Sequence, residues 1–234
     1  MTLNQELKDQ VARIFADQWT TRDGKVVPDD KSVTLGNDGI NLDATVLYAD
    51  LAASTFLVDT KSGTFAAEIY KAYLVTTAKI IRAEGGAITA YDGDRIMAVF
   101  IGDNKNTSAA RTALKINWSV INIINPAIKK QYNNANYAVK QIVGIDTSSL
   151  IVAKTGVRGA NDLVWVGRAA NYAAKLSNLS SYSTYITHTV YDKLHASAKY
   201  TGGDESKPNL WHERTWTTMN NMKIYGSDGW WSIS

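Results

Sequence analysis

The chain of 234 residues contains no cysteine. Disulfides, thiolate zinc sites and cysteine nucleophiles are therefore excluded. Histidine is scarce: His188, His195 and His212 are too scattered to suggest a histidine-rich metal site. No stretch approaches the roughly 20 apolar residues that a membrane helix requires. The N-terminus, MTLNQELKDQVARIF, mixes charges and lacks a continuous apolar core, so it does not read as a signal peptide. Charge of one sign is also lacking. Lys and Arg number 25 against 22 Asp and Glu, a formal net charge of +3. That balance gives no reason to expect a protein that coats nucleic acid, but it allows an anionic small molecule as ligand. The expectation is a soluble cytoplasmic protein without nucleic-acid or membrane partners.

What is present is enough apolar material, 45% of residues, for one sizeable core. The seven Trp and twelve Tyr read as anchors of that core. Residues 1–20 predict a short amphipathic helix, with Leu7, Val11, Ile14 and Phe15 at helical spacing. Residues 21–43 gather turn formers, Asp23-Gly24, Pro28-Asp29-Asp30 and Gly36-Asn37-Asp38-Gly39, and read as a connector outside the core. Residues 44–234 read as the main unit. Ala44–Ala49 is a buried strand ending at Asp50. Phe65, Ile69, Tyr73, Thr76 and Ile80 predict a helix over 62–83, stopped by Gly85-Gly86. Strands 87–91 and 95–101 flank Asp92-Gly93, a hairpin signal. A helix from about Ser108 to Gln131 is expected to bend or end at Pro126. Residues 139–145 and 149–153 read as a second strand pair. Strand 163–166 leads into a helix over 167–176, strand 184–187 into a short helix over 190–196, and residues 211–231 into closing strands. This order predicts an α+β fold, helices packed on a mostly antiparallel sheet.

Two carboxylates stand out. Asp50 ends a hydrophobic strand, and Asp94 sits at a hairpin tip. If the strands are neighbours, the carboxylates meet at one end of the sheet. Paired carboxylates with few histidines suit hard divalent cations, and two such ions form a clamp for phosphoryl transfer. The run Ala52-Ala53-Ser54-Thr55 leaves N–H groups free at a helix start, where phosphate oxygens can be held. Each feature also has a plain structural reading: Asp50 or Ser54 as a helix cap, Asp94 as a turn former.

Three segments together are specific. Residues 46–55 (VLYADLAAST), 93–100 (GDRIMAVF) and 166–176 (VGRAANYAAKL) resemble, in order and spacing, the two metal motifs and the transition-state helix of class III nucleotide cyclases. Gly144-Ile145-Asp146-Thr147 is similar to the strand between them. The resemblance covers about residues 41–225 and implies the ferredoxin-like cyclase architecture, with 44–234 as the catalytic domain. It implies that Asp50, Asp94 and the Leu51 carbonyl bind two Mn²⁺ or Mg²⁺ ions, and that N–H groups of Ala53, Ser54 and Thr55 hold phosphates. Asn171 would orient the ribose, and Lys175 stands where an arginine is usual. It further implies a homodimer with shared sites, the aspartates from one chain and the Asn171 helix from the other. Lys223 could match a phosphate-binding lysine or be a surface residue.

The base-reading positions depart from the purine pattern. Ala90 stands where adenylate cyclases carry a lysine, and Val164 where they carry Asp or Thr. A site without those groups has lost its means of selecting adenine. Tyr48, Arg95 and Trp165 are candidates to read another base, or core aromatics and an ion-pair partner. A short chain with altered purine positions resembles the bacterial Pycsar pyrimidine cyclases of antiphage defence. That resemblance implies conversion of UTP, or else CTP, to a cyclic nucleotide read by a separate effector. An atypical adenylate or guanylate cyclase, an inactive nucleotide-sensing module and a palm-type phosphoryl-transfer enzyme remain alternatives.

Overall fold

A computed structural model describes residues 1–134, 136–157 and 160–233, without side chains for 157 and 160–162. Its frame is one sheet in the order β3-β4-β2-β5-β7-β9-β8, with β1 added beside β2 and β6 beside β5. The strands are β1 (Thr20–Asp23), β2 (Asp38–Leu51), β3 (Ala87–Asp92), β4 (Arg95–Phe100), β5 (Gln141–Val157), β6 (Ala160–Val166), β7 (Thr184–Thr187), β8 (His212–Trp216) and β9 (Met222–Ser227). Among them β1–β2 and β5–β7 run parallel and the other pairs antiparallel. The fold is α+β, as its sequence predicts.

Alternation along the strands makes two apolar faces. On one, Leu47, Ala49 and Leu51 of β2 join Ile96, Ala98 and Phe100 of β4 and Val143 and Ile145 of β5. Helices α3 (Gly63–Ala83) and α4 (Lys105–Ser119) cover this face through Phe65, Ile69, Tyr73, Ile81, Ala113 and Ile116. Ser62 caps α3 by accepting the Phe65 N–H. On the other face, Ala44, Val46, Met97, Val99 and Leu150 pack against Ala169, Ala170 and Ala173 of α6 (Arg168–Leu176). The approach of α6 to β5 depends on Gly144, where a Cβ would come within 2.1 Å of the Ala173 carbonyl oxygen. Smaller helices are α2 (Ser54–Thr60), α5 (Asn125–Gln131), α7 (His188–Asp192) and α8 (Ala196–Lys199).

Three departures from the sequence reading have physical causes. The segment expected as a connector adds β1 to the sheet, and β2 starts at Asp38. Val33, Ile40 and Leu42 are buried, because Val33 and Ile40 close a small apolar cluster with Val152. Residues 139–153 are not a strand pair; β5 runs unbroken for 17 residues. Its polar stretch does not turn because it is satisfied inside. Thr187 Oγ1 donates to Asp146 at 2.6 Å, Arg168 donates to Asp146 and the Thr147 carbonyl, and Thr147 Oγ1 accepts from Thr45. Near Pro126 the helical path does not stop: α4 passes through a π-turn over residues 120–124 into α5, whose first turn takes up Pro126. α1 (Leu3–Ala16) is helical as expected, capped by Thr2, but none of its residues is buried. Trp211, Trp216, Tyr73, Tyr185 and Tyr225 anchor the core as expected, whereas Trp19 and Trp230 are exposed.

Candidate active site

β2 and β4 are neighbours in a register that sets Asp50 directly across from Arg95. Gly93 takes a positive φ of 60° in the turn between β3 and β4, so Asp94 stands beside the end of β2. The two carboxylates are thus brought to one end of the sheet, close enough that the charge of Asp94 acts on Asp50. Tyr48 lies two residues before Asp50 and so faces the same side of β2, toward α6.

The two aspartates differ in their partners. Arg95 donates from Nε and Nη2 to Asp50 Oδ2 at 3.2 and 2.8 Å. Oδ2 of Asp94 is buried with no hydrogen-bond partner. Burial pushes the Asp50 carboxyl above its ordinary value; Arg95 opposes that shift and Asp94 adds to it. Behind them, the Tyr73 hydroxyl donates to the Asp50 carbonyl at 3.4 Å. Burial, then the charges of Asp50 and Asp94, drive its pKa far upward, so it stays a neutral donor.

An unpartnered buried carboxylate oxygen is expensive, and a divalent cation answers that cost. Among the described residues no cluster of three or more His, Asp or Glu is placed to hold a metal. Two carboxylates alone suit Mg²⁺ or Mn²⁺, which are commonly held by one or two carboxylates plus substrate phosphates. The residues fit such ions.

After Leu51 the chain turns through Ala53, which adopts the left-handed conformation (φ 57°, ψ 35°) and caps α2. The first N–H groups of a helix have no acceptor within it. Those of Ser54 and Thr55, with Ala53 before them, border a cleft of about 730 Å³ that also contains Asp50, Gln141, Asn178 and Ser180. Gln141 is buried there with both side-chain amide atoms unpartnered.

The other expected residues are placed as follows. Asn171 and Lys175 are four apart on the outward side of α6, both exposed. Asn171 Nδ2 donates to the Gly167 carbonyl, and Lys175 Nζ lies 3.7 Å from Met219 Sδ. No described contact joins either to Asp50 or Asp94. Trp165 pairs with Val152, itself opposite Ile40, eight residues along β2 from Tyr48. It packs with Val27 and is not brought to the carboxylates within one chain. Arg95, a candidate to read the base or to form an ion pair, is paired with Asp50. Lys223 forms a surface ion pair with Glu213 at 3.0 Å. Sequence reasoning missed Asn178, whose Oδ1 accepts from Arg95 Nη2 at 3.3 Å. It lies just past the end of α6, seven residues after Asn171, and that spacing was the only signal. It also missed the Tyr73 hydroxyl, which helical periodicity marked only as core.

Among the described residues no helix is long and apolar enough to cross a membrane. No family model matches the sequence. In overall shape the chain is similar to the adenylyl cyclase CyaB from P. aeruginosa, with a TM-score of 0.64 and 18% identity over 81% of this chain and 95% of that one. It is equally similar to the guanylyl cyclase Cya2, with a TM-score of 0.66 and 16% identity over 82% and 95%. In sequence it is 54% identical to a uridylate cyclase of Xanthomonas perforans over the whole of both chains. A uridylate cyclase of Burkholderia cepacia is 50% identical over 95% of this chain and 99% of its own, and one of Rhodovulum sp. is 36% identical over 98% of each. With a cyclase fold, a carboxylate pair at the sheet end and full-length relatives of one kind, the chain belongs to the uridylate cyclase family and is a nucleotidyl cyclase of the class III fold.

Proposed function

We propose that the chain converts UTP, or else CTP, to the 3′,5′-cyclic nucleotide and pyrophosphate, using two divalent ions. The buried, unpartnered Oδ2 of Asp94 beside Asp50 carries the reading. Asp50, Asp94 and the Leu51 carbonyl would hold the ions. When bound, Mn²⁺ or Mg²⁺ supplies Lewis acidity that favours loss of the 3′-hydroxyl proton and offsets charge on the triphosphate. The N–H groups of Ala53, Ser54 and Thr55 bind the phosphates. Asn171 and Lys175 reach the ribose and the α-phosphate from a partner subunit. Their outward, exposed position on α6 supports this division between two copies of the chain. Lys175 supplies charge but not the planar fork of an arginine.

Base preference follows from what the pocket lacks and offers. Ala90 and Val164 have no group to bond a purine edge. The Tyr48 hydroxyl, on the Asp50 side of β2, is a neutral donor and acceptor, held protonated by burial. Trp165 of a partner subunit is a stacking surface for the base. The names of the full-length relatives favour UTP over CTP. The product is a cytoplasmic second messenger for antiphage defence, read by a separate effector.

The test is incubation of the purified chain with each ribonucleoside triphosphate and Mn²⁺, with products identified by mass spectrometry. Cyclic UMP as the main product is expected; cyclic AMP or cyclic GMP overturns the base assignment. Mixing Asp50→Asn chains with Asn171→Ala chains should restore part of the activity. Heterodimers that form without recovery overturn the shared site.

A further inference from the structure

Arg95 occupies Asp50 in a way that a metal ion must contest. It opens β4 directly opposite Asp50, so the strand register itself delivers the guanidinium to the carboxylate. Both of its contacts fall on one oxygen, Oδ2. The same Nη2 reaches Asn178 Oδ1 at 3.3 Å, and the guanidinium carbon lies 6.0 Å from the centre of the Tyr48 ring. Asp94, one residue earlier, has an oxygen with no hydrogen-bond partner among the described residues. One carboxylate of the pair is therefore neutralised and the other is open.

The two donations from Arg95 take up lone pairs of Oδ2 that a metal ion held by Asp50 would use, and a +2 ion would repel that guanidinium at contact distance. We propose that Arg95 is a built-in counter-ion for the empty carboxylate pair and that metal loading displaces it. On release it moves toward Asn178 and the face of Tyr48, both already within its reach, and becomes a positioning residue for the nucleotide. Metal and nucleotide then bind in order. The Arg95 position that the nucleotide meets exists only after the metal is in place. This rests on Asp50 and Asp94 being the metal ligands.

The test is Mn²⁺ titration of the nucleotide-free protein, followed by electron paramagnetic resonance. Arg95→Ala is expected to bind Mn²⁺ at least about tenfold more tightly, because a like charge a few Å from the ion has gone. Arg95→Gln keeps the side-chain length, removes the charge and answers the same question if the alanine variant folds poorly. Unchanged or weaker Mn²⁺ binding in both variants overturns the proposal, since Arg95 would then orient Asp50 and not compete for it. Wild-type Mn²⁺ binding that survives Asp94→Asn undiminished is a different failure, that of the metal assignment.

Discussion

Gly144 offers the sharpest lever on the link between packing and turnover. It sits in β5 opposite Tyr48, with α6 pressed onto it. A Cβ there would lie 2.1 Å from the Ala173 carbonyl oxygen and 2.6 Å from the Ser177 nitrogen, both backbone atoms with no side chain to swing aside. In Gly144→Ala the helix must therefore retreat by about 1 Å before the contact stops being repulsive. Overpacking of a close-packed site costs about 1–3 kcal/mol, and the backbone contact puts this variant at the upper end, near 3 kcal/mol. For a chain of this length that lowers the melting temperature by roughly 6–12 °C. The retreat also carries Asn171 and Lys175, on the outer side of the same helix, by a similar distance. Misplacement on that scale costs about 100-fold in rate. Asp50 and Asp94 sit on β2 and the β3–β4 turn, so Mn²⁺ binding is expected to persist. Calorimetry, turnover by mass spectrometry and Mn²⁺ titration read the three effects separately. Because the displacement falls on α6, mixing with Asp50→Asn chains, which supply an undisplaced α6, should recover activity. A variant that melts as wild type and keeps its rate within about threefold refutes the reasoning.

Arg168→Ala leaves Asp146 fully buried with the Thr187 hydroxyl and backbone but no counter-ion, a loss of about 3 kcal/mol. Burial already pushes the Asp146 carboxyl up, with Thr187 and Arg168 opposing the shift; the variant's carboxyl rises further. Its protonated form is the better folded one, so the stability deficit should shrink as pH falls from neutral through the raised pKa. A pH-independent deficit in calorimetry refutes this. Glu84 works in the opposite sense. Burial opposes its charge, but Lys115 at 2.7 Å and Arg111 at 2.6 Å hold its pKa below the ordinary value. Its stabilisation is present above the unfolded pKa and lost as pH falls through the folded one. Glu84→Gln should cost about 2 kcal/mol at neutral pH and little in acid, measured by urea unfolding across pH. Tyr48→Phe removes only a hydroxyl and should cut the preference for UTP over ATP by about tenfold with little change in melting temperature. An unaltered product ratio removes that hydroxyl from base selection.

The fold was legible wherever one periodicity ran cleanly. α3, with apolar residues every three or four positions, and the Thr184–Thr187 strand matched their predicted bounds closely. Legibility failed where tertiary partners overrode local chemistry. Asp146-Thr147-Ser148 looks like a break, yet β5 passes through it because Arg168, Thr187 and Thr45 lie far away in sequence. Residues 21–43 hold many turn formers, but Val33 and Ile40 find Val152 more than a hundred positions later. Of the site, the meeting of Asp50 and Asp94 could be read from a strand end and a hairpin. The grip of Arg95 on Asp50 could not, because it depends on the β2–β4 register, which the two strand patterns leave open.

Local costs gather at the same end of the sheet. Ala53 holds a left-handed backbone that costs a non-glycine residue about 1 kcal/mol or more. Asp94 buries a bare carboxylate oxygen, Gln141 a bare amide, and burial raises Asp50 against the charge it needs. A core selected for stability alone would relieve each of these with a glycine, a leucine or an asparagine. Elsewhere in the described structure buried charge is answered: Asp146 has Arg168 and Thr187, and Glu84 has Arg111 and Lys115. Metal can satisfy the carboxylates, and phosphate oxygens can accept the N–H groups that the left-handed Ala53 turn exposes. On the proposed function, that strain would be a store that ligand binding releases. Binding energy spent on completing an unfinished site is specific to ligands that bring both cation and phosphate.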